Sequence, residues 1–278
     1  MLKLTVELVV GAFVSFLALA VLVRVLEPRL AFFPVAGETV TPRELGIEHK
    51  PLLAVTADNE RLRGWVLPQP TPRAQVVYFH GNGGNLSIWA PILVGIARRG
   101  YSVVAYDYRG YGLSTGRPTE GGLYRDVDVV VEQFWKGLRP KTPIVYWGRS
   151  LGTAMAAYAA TVRAPDGLIL ESGFPDARSL VRSMPPPLTF LTLFSTYRFP
   201  VVEFLRRVTV PVLVMHGDDD QVIPIAQGRA LFERVSGRKQ FLTIRGGDHN
   251  DLAPPDPRTY WQAVDAFTDS LSMGPQPE

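Results

Sequence analysis

Residues 148–152 of this 278-residue chain read Gly-Arg-Ser-Leu-Gly, between the apolar run at 143–147 and the alanine-rich stretch at 153–160. That order reads as strand, sharp turn, helix, the setting a Gly-x-Ser-x-Gly nucleophile elbow requires. The serine takes a strained backbone conformation there. Glycines on either side remove the Cβ atoms that would collide with the incoming strand and the outgoing helix. The hydroxyl then stands at the carboxyl end of a sheet, with a helix N-terminus beneath it. Five letters in a glycine-rich loop can match by chance, and the flanking strand and helix are what argue against chance here.

The rest of the chain supplies a sheet for that turn. Short apolar runs at 75–79, 102–106, 144–147, 168–171, 212–216 and 240–244 predict buried strands. Helices are predicted between them at 89–99, 121–138, 151–162, 225–235 and 257–271. Thr119 caps the second, whose Leu123, Val127, Val130, Val131 and Phe134 recur on one face. Residues 52–56 and 62–67 predict an antiparallel hairpin that turns at Asp58 and Asn59. The alternation predicts an α/β fold: a mostly parallel central sheet with helices on both faces. Residues 173–207 break the pattern with Pro185, Pro186, Pro187, Phe190, Tyr197 and Phe199. They read as a short cap insertion over a substrate pocket or as an ordinary two-helix connection.

Residues 8–23 carry no charge, and extending back to residue 4 adds only Glu7. About 20 residues at ~1.5 Å each span the roughly 30 Å hydrocarbon core of a bilayer. A cleavable signal peptide is the rival, with Lys3 before the run and Ala18-Leu19-Ala20 as a small-residue site. Length favours an uncleaved anchor, which divides the chain into a transmembrane segment at 1–27 and a catalytic domain at 28–278. A single-pass membrane location follows, with the side of the domain left open because Lys3 and Arg24 flank opposite ends. Beyond the anchor, Phe32 and Phe33 either meet the lipid or pack on the domain, and packing is the expectation.

Several chemistries are excluded. With no cysteine the chain has no disulfide, thiolate metal site or cysteine nucleophile. A net charge of +3 in mixed-sign segments is no nucleic-acid footprint. The glycine-rich residues 80–85 lack the Lys-Ser/Thr of a P-loop and the spacing of a dinucleotide fingerprint, so no cofactor or metal is expected.

A serine hydroxyl needs a base, and the chain offers four histidines. His49 and His80 precede Ser150, and His216 comes before the candidate acids, so the order serine, acid, histidine leaves His249. Asp218, Asp219 and Asp220 follow the strand at 212–216, and spacing alone does not choose among them. The backbone N–H of Leu151 is one expected oxyanion donor, and residues 80–85 should supply another.

These residues, with the run Asp107-Tyr108-Arg109-Gly110-Tyr111-Gly112, Glu171-Ser172 and Gly247-Asp248-His249, resemble the α/β-hydrolase superfamily. The nearest likeness is to its Bem46-like group, related to the membrane-associated α/β-hydrolase domain-containing proteins 13 and 17. The resemblance implies Asp220 as the acid, Asn82 as an oxyanion residue, an N-terminal membrane helix, and bracing roles for Asp107 and Arg109. It also implies hydrolysis of a carboxylic ester or thioester by a serine hydrolase with the triad Ser150, Asp220 and His249. The expected partners are a small-molecule or lipid-like acyl substrate and the membrane. A peptidase or amidase on the same triad is the alternative, and a non-catalytic protein of the same fold a further one.

Overall fold

The structure is a computed structural model that describes residues 2–137, 142–183 and 195–272. It begins with one long helix, α1 (Leu2–Ala31), and a two-residue strand, β1 (Phe33–Pro34). The predicted hairpin follows as β2 (Lys50–Val55) and β3 (Arg61–Leu67), turned by Asn59 at φ +64°. Next come β4 (Gln75–Phe79), the short β5 (Gly83–Gly84), α2 (Leu86–Arg98), β6 (Ser102–Tyr106) and α3 (Glu120–Lys136). The elbow joins β7 (Ile144–Arg149) to α4 (Gly152–Val162), and β8 (Gly167–Glu171) follows. Two short helices, α5 (Ala177–Arg182) and α6 (Val201–Leu205), precede β9 (Val212–Gly217), α7 (Ile225–Glu233), β10 (Lys239–Ile244) and α8 (Pro257–Ser272).

Among the described residues, eight strands form one sheet in the order β10-β9-β8-β7-β4-β6-β3-β2. The six from β10 to β6 run parallel, and β3 pairs antiparallel with both β6 and β2. Every residue of β4, β7, β8 and β9 is buried, because helices cover both faces and the strands have no solvent side to alternate toward. Alternate residues nevertheless serve different layers. Val77, Phe79 and Tyr146 pack with α3, α4 and α6, whereas Val76, Tyr78 and Trp147 pack with α2 and α8.

Some details differ from the sequence expectations. α2 starts at Leu86 rather than residue 89, because Asn85 caps it by accepting the Ser87 N–H, a signal that apolar periodicity does not carry. The division at residue 27 falls inside α1, which continues to Ala31 despite Pro28. Glu27 and Phe32 are buried against the domain while Phe33 is exposed, so the packing expected of the two phenylalanines holds for Phe32. The 173–207 insertion includes α5 and α6, and α6 buries Val201 and Leu205 in the core. Residues 184–194, with the three prolines and Phe190, lie outside the described residues.

Candidate active site

At the end of β7 the chain reverses so sharply that Ser150 has φ +55°, in the left-handed region that side chains disfavour. Both flanking glycines are required by contact: a Cβ on Gly148 would lie 2.1 Å from the Gly152 carbonyl oxygen, and one on Gly152 1.9 Å from that of Phe79. The Ser150 N–H donates to the Glu171 carbonyl at 2.9 Å, fastening the turn to β8. Leu151 is the N-cap of α4 with no side-chain cap, so its N–H belongs to the helix's unpaired first-turn donors and to the positive end of its dipole.

The other two predicted residues come to this turn from loops 70 and 99 residues further along the chain. His249 Nε2 lies 3.0 Å from Ser150 Oγ, and His249 Nδ1 lies 2.8 Å from Asp220 Oδ2. Asp220 Oδ1 accepts the N–H groups of Val222 at 3.0 Å and Ile223 at 2.7 Å. Burial would raise this carboxyl, but hydrogen bonds from His216, His249 and the Ile223 N–H hold it well below the usual carboxylate range. His216 Nε2 sits 3.4 Å from Asp220 Oδ2 and 2.8 Å from the Ile223 carbonyl. The triplet is resolved by direction: Asp220 is buried, whereas exposed Asp218 accepts the Gly246 N–H and exposed Asp219 the Gln221 amide.

Asn82 belongs to the turn after β4, where Gly81 lets the backbone close on Ser150: a Cβ there would lie 3.4 Å from Ser150 Cβ and 2.7 Å from the Trp89 ring. The Asn82 side chain is engaged elsewhere. Its Nδ2 donates to the Ala31 carbonyl at 2.7 Å, and its Oδ1 accepts from Tyr111 Oη at 2.9 Å. Any oxyanion contact from Asn82 therefore falls to its backbone N–H.

Arg109 braces its loop as expected, bonding to Asp126 and to both oxygens of Asp58. Arg149 was not singled out from the sequence. Its buried guanidinium donates to the carbonyls of His249 at 2.8 Å and Asp251 at 2.7 Å, and so ties the histidine loop to the elbow. Glu171 lies 3.8 Å from it and accepts from Trp147 Nε1 and Tyr260 Oη. The available signal was a charged residue at the end of an otherwise apolar strand, where a buried cation needs partners.

A protein-family profile described as the alpha/beta hydrolase fold matches residues 75–179. An uncharacterized protein of Mycobacterium tuberculosis is 31% identical over 251 residues, which span 88% of this chain and 89% of that one. Alpha/beta hydrolase domain-containing protein 17C of Homo sapiens is 31% identical over 197 residues, 66% of this chain and 55% of that protein. Among solved structures, an esterase of Pyrococcus furiosus superimposes with a TM-score of 0.70 at 21% identity, covering 87% of this chain and all (100%) of its own. The esterase RhEst1 of Rhodococcus sp. gives 0.58 at 19% identity, over 80% of this chain and 99% of its own. The chain belongs to the α/β-hydrolase superfamily. Within it, it is a Bem46-like member related to alpha/beta hydrolase domain-containing proteins 17B and 17C. These relatives and the fold support a hydrolase.

Proposed function

We propose that the chain is a serine hydrolase that cleaves a carboxylic ester or thioester through an acyl-enzyme intermediate. The observation that carries this reading is the relay from Ser150 through His249 to Asp220, at 3.0 and 2.8 Å, set on a serine at φ +55°. Ser150 Oγ attacks the acyl carbonyl as His249 Nε2 takes its proton. The oxyanion forms against the N–H groups of Leu151 and Asn82. Collapse expels the alkoxide or thiolate, which receives the proton from His249. Water then repeats the sequence, attacking the acyl-serine and releasing the acid. Asp220, kept ionised by its donors, orients the imidazole and stabilises the imidazolium.

We further assign α1 as an uncleaved single-pass anchor, since the most apolar 18-residue stretch within Thr5–Arg29 has a mean hydropathy of 2.6 and is almost wholly exposed. A mature N-terminus near Val21 in the membrane fraction would overturn this assignment. The enzyme reading is tested by fluorophosphonate labelling of the purified, folded protein. Wild type should label and Ser150→Ala should not, and an unlabelled wild type would remove the reading. p-Nitrophenyl esters of graded chain length, run beside a peptide amide, would then define the acyl preference and exclude or admit a peptidase.

A further inference from the structure

Next to the end of α1 the domain exposes apolar side chains that water does not favour. Phe33 and Val35 are 59% and 49% exposed, and Ile88 and Leu113 are 47% and 51% exposed. They surround one small ribbon. β1 pairs in parallel with β5, the Val35 N–H donates to the Gly84 carbonyl at 2.9 Å, and the Gly112 N–H donates to the Val35 carbonyl at 3.0 Å. Ile88 fills the space over Gly84, where an added Cβ would come within 2.4 Å of it, and Leu113 directly follows Gly112.

The ribbon is also held at a set position relative to α1. Glu27 accepts hydrogen bonds from Ser195 Oγ, from the Thr196 N–H at 2.9 Å and from Thr196 Oγ1 at 2.7 Å. One turn later, the Ala31 carbonyl accepts from Asn82 Nδ2, and Phe32 packs edge-on against Tyr197 at 5.4 Å and Phe199 at 6.2 Å. These contacts at consecutive turns fix where the domain sits along the helix axis. A 20-residue span centred on the uncharged run ends near Val25, so Ala31 stands roughly 9 Å further along the axis, less with tilt. The polar zone on each side of the hydrocarbon is about 5–8 Å deep, which brings the residues just after Ala31 to its outer edge. Exposed Arg29 falls in the same zone, and exposed Arg24, at the end of the span, reaches it by its long side chain, where cations meet lipid phosphates.

We propose that this face is a lipid-seating surface: Phe33, Val35, Ile88 and Leu113 rest in the headgroup region of the bilayer that holds α1. The inference rests on the anchor assignment made for α1. It places the loop at 81–84, beside Ser150, at the lipid surface, and so matches the site to acyl groups carried by membrane lipids.

Because the chain has no cysteine, single labels report single positions. The full-length protein is reconstituted in phosphatidylcholine/phosphatidylglycerol vesicles with an environment-sensitive fluorophore on Phe13→Cys, Val35→Cys, Leu113→Cys or Val162→Cys. Val162, also apolar and exposed, ends α4 on the opposite edge of the sheet and is the aqueous control. Quenching by lipids spin-labelled near the headgroup should be at least twofold stronger at positions 35 and 113 than at 162. Deeply placed spin labels should quench position 13. If 13 is quenched while 35 and 113 match 162, the seat is overturned and the anchor stands. If 13 is not quenched, the anchor assignment fails and the seat fails with it.

Discussion

Two histidine–aspartate pairs lie at the carboxyl edge of the same sheet and differ in almost every respect that matters for chemistry. His249 Nδ1 is 2.8 Å from Asp220, and its other nitrogen reaches Ser150. His80 Nε2 is 3.9 Å from Asp107, beyond a hydrogen bond, and its Nδ1 faces the Gly81 carbonyl at 2.7 Å. Both carboxyls are buried, so burial does not separate them; the donors around them do. Asp220 receives Val222, Ile223 and His249, with His216 close by, and stays ionised. For Asp107 burial dominates, with one N–H from Leu86 opposing it, and its carboxyl rises to about 7. His80, fully enclosed, falls to about 4. Between about 4 and about 7 both members of the second pair are therefore neutral, while Asp220 is ionised. A low-dielectric site keeps a carboxylate ionised only where hydrogen bonds to the ionised form outnumber the solvent it has lost.

The largest loss is expected at the serine. Ser150→Ala should reduce kcat by on the order of 10⁶-fold, measured with a reactive ester, with far-UV circular dichroism unchanged. Asp220→Asn should cost about 10⁴-fold in kcat by disturbing the histidine's tautomer and orientation. The matched Asp107→Asn should cost less than about tenfold, because that carboxyl touches no reacting atom. Comparable losses at the two positions would erase the distinction between the pairs. Arg149→Met removes none of Ser150, His249 and Asp220 but releases the carbonyls of His249 and Asp251, so that the histidine loop can shift. A misplacement of about 1 Å predicts a kcat loss near 10²-fold. KM for a small ester should hardly change, and a rise in KM with kcat intact would argue for substrate binding instead.

The smallest effect concerns stability against pH. Asp107, raised in the folded state, favours folding below about 4 and loses that contribution as pH climbs to about 7. His80, depressed, contributes above its ordinary value of about 6.5 and loses that contribution as pH falls to about 4. Between these limits the two slopes oppose each other in the wild type. Asp107→Asn should unmask the histidine, so that stability from urea melts rises with pH by up to about 1 kcal/mol per unit between pH 4.5 and 6.5. His80→Gln should give the opposite slope. Parallel profiles for the two variants would mean that the pair does not titrate in this way.

Much of this was legible from residue order. Runs such as 75–79 and 212–216 announced buried parallel strands, because a strand covered on both faces must be apolar throughout. Ser150 and His249 followed from the elbow and from elimination among four histidines. Asp220 did not follow from spacing: three adjacent aspartates differ by one rotation of the backbone each, and which one faces inward depends on where β10 and the histidine loop pass. The start of α2 was hidden for a related reason, since Asn85 also donates to the Val35 and Gly37 carbonyls, partners some 50 residues away.

The sequence alone determined the candidate nucleophile, its candidate base and the alternation that builds the sheet, since each is written in contiguous residues whose chemistry or period is local. Tertiary structure decided which aspartate completes the relay, that Arg149 holds the histidine loop, and that α1 docks through Glu27 and Ala31. Each of these is a contact between distant segments, and its geometry exists only once the sheet has brought their ends together.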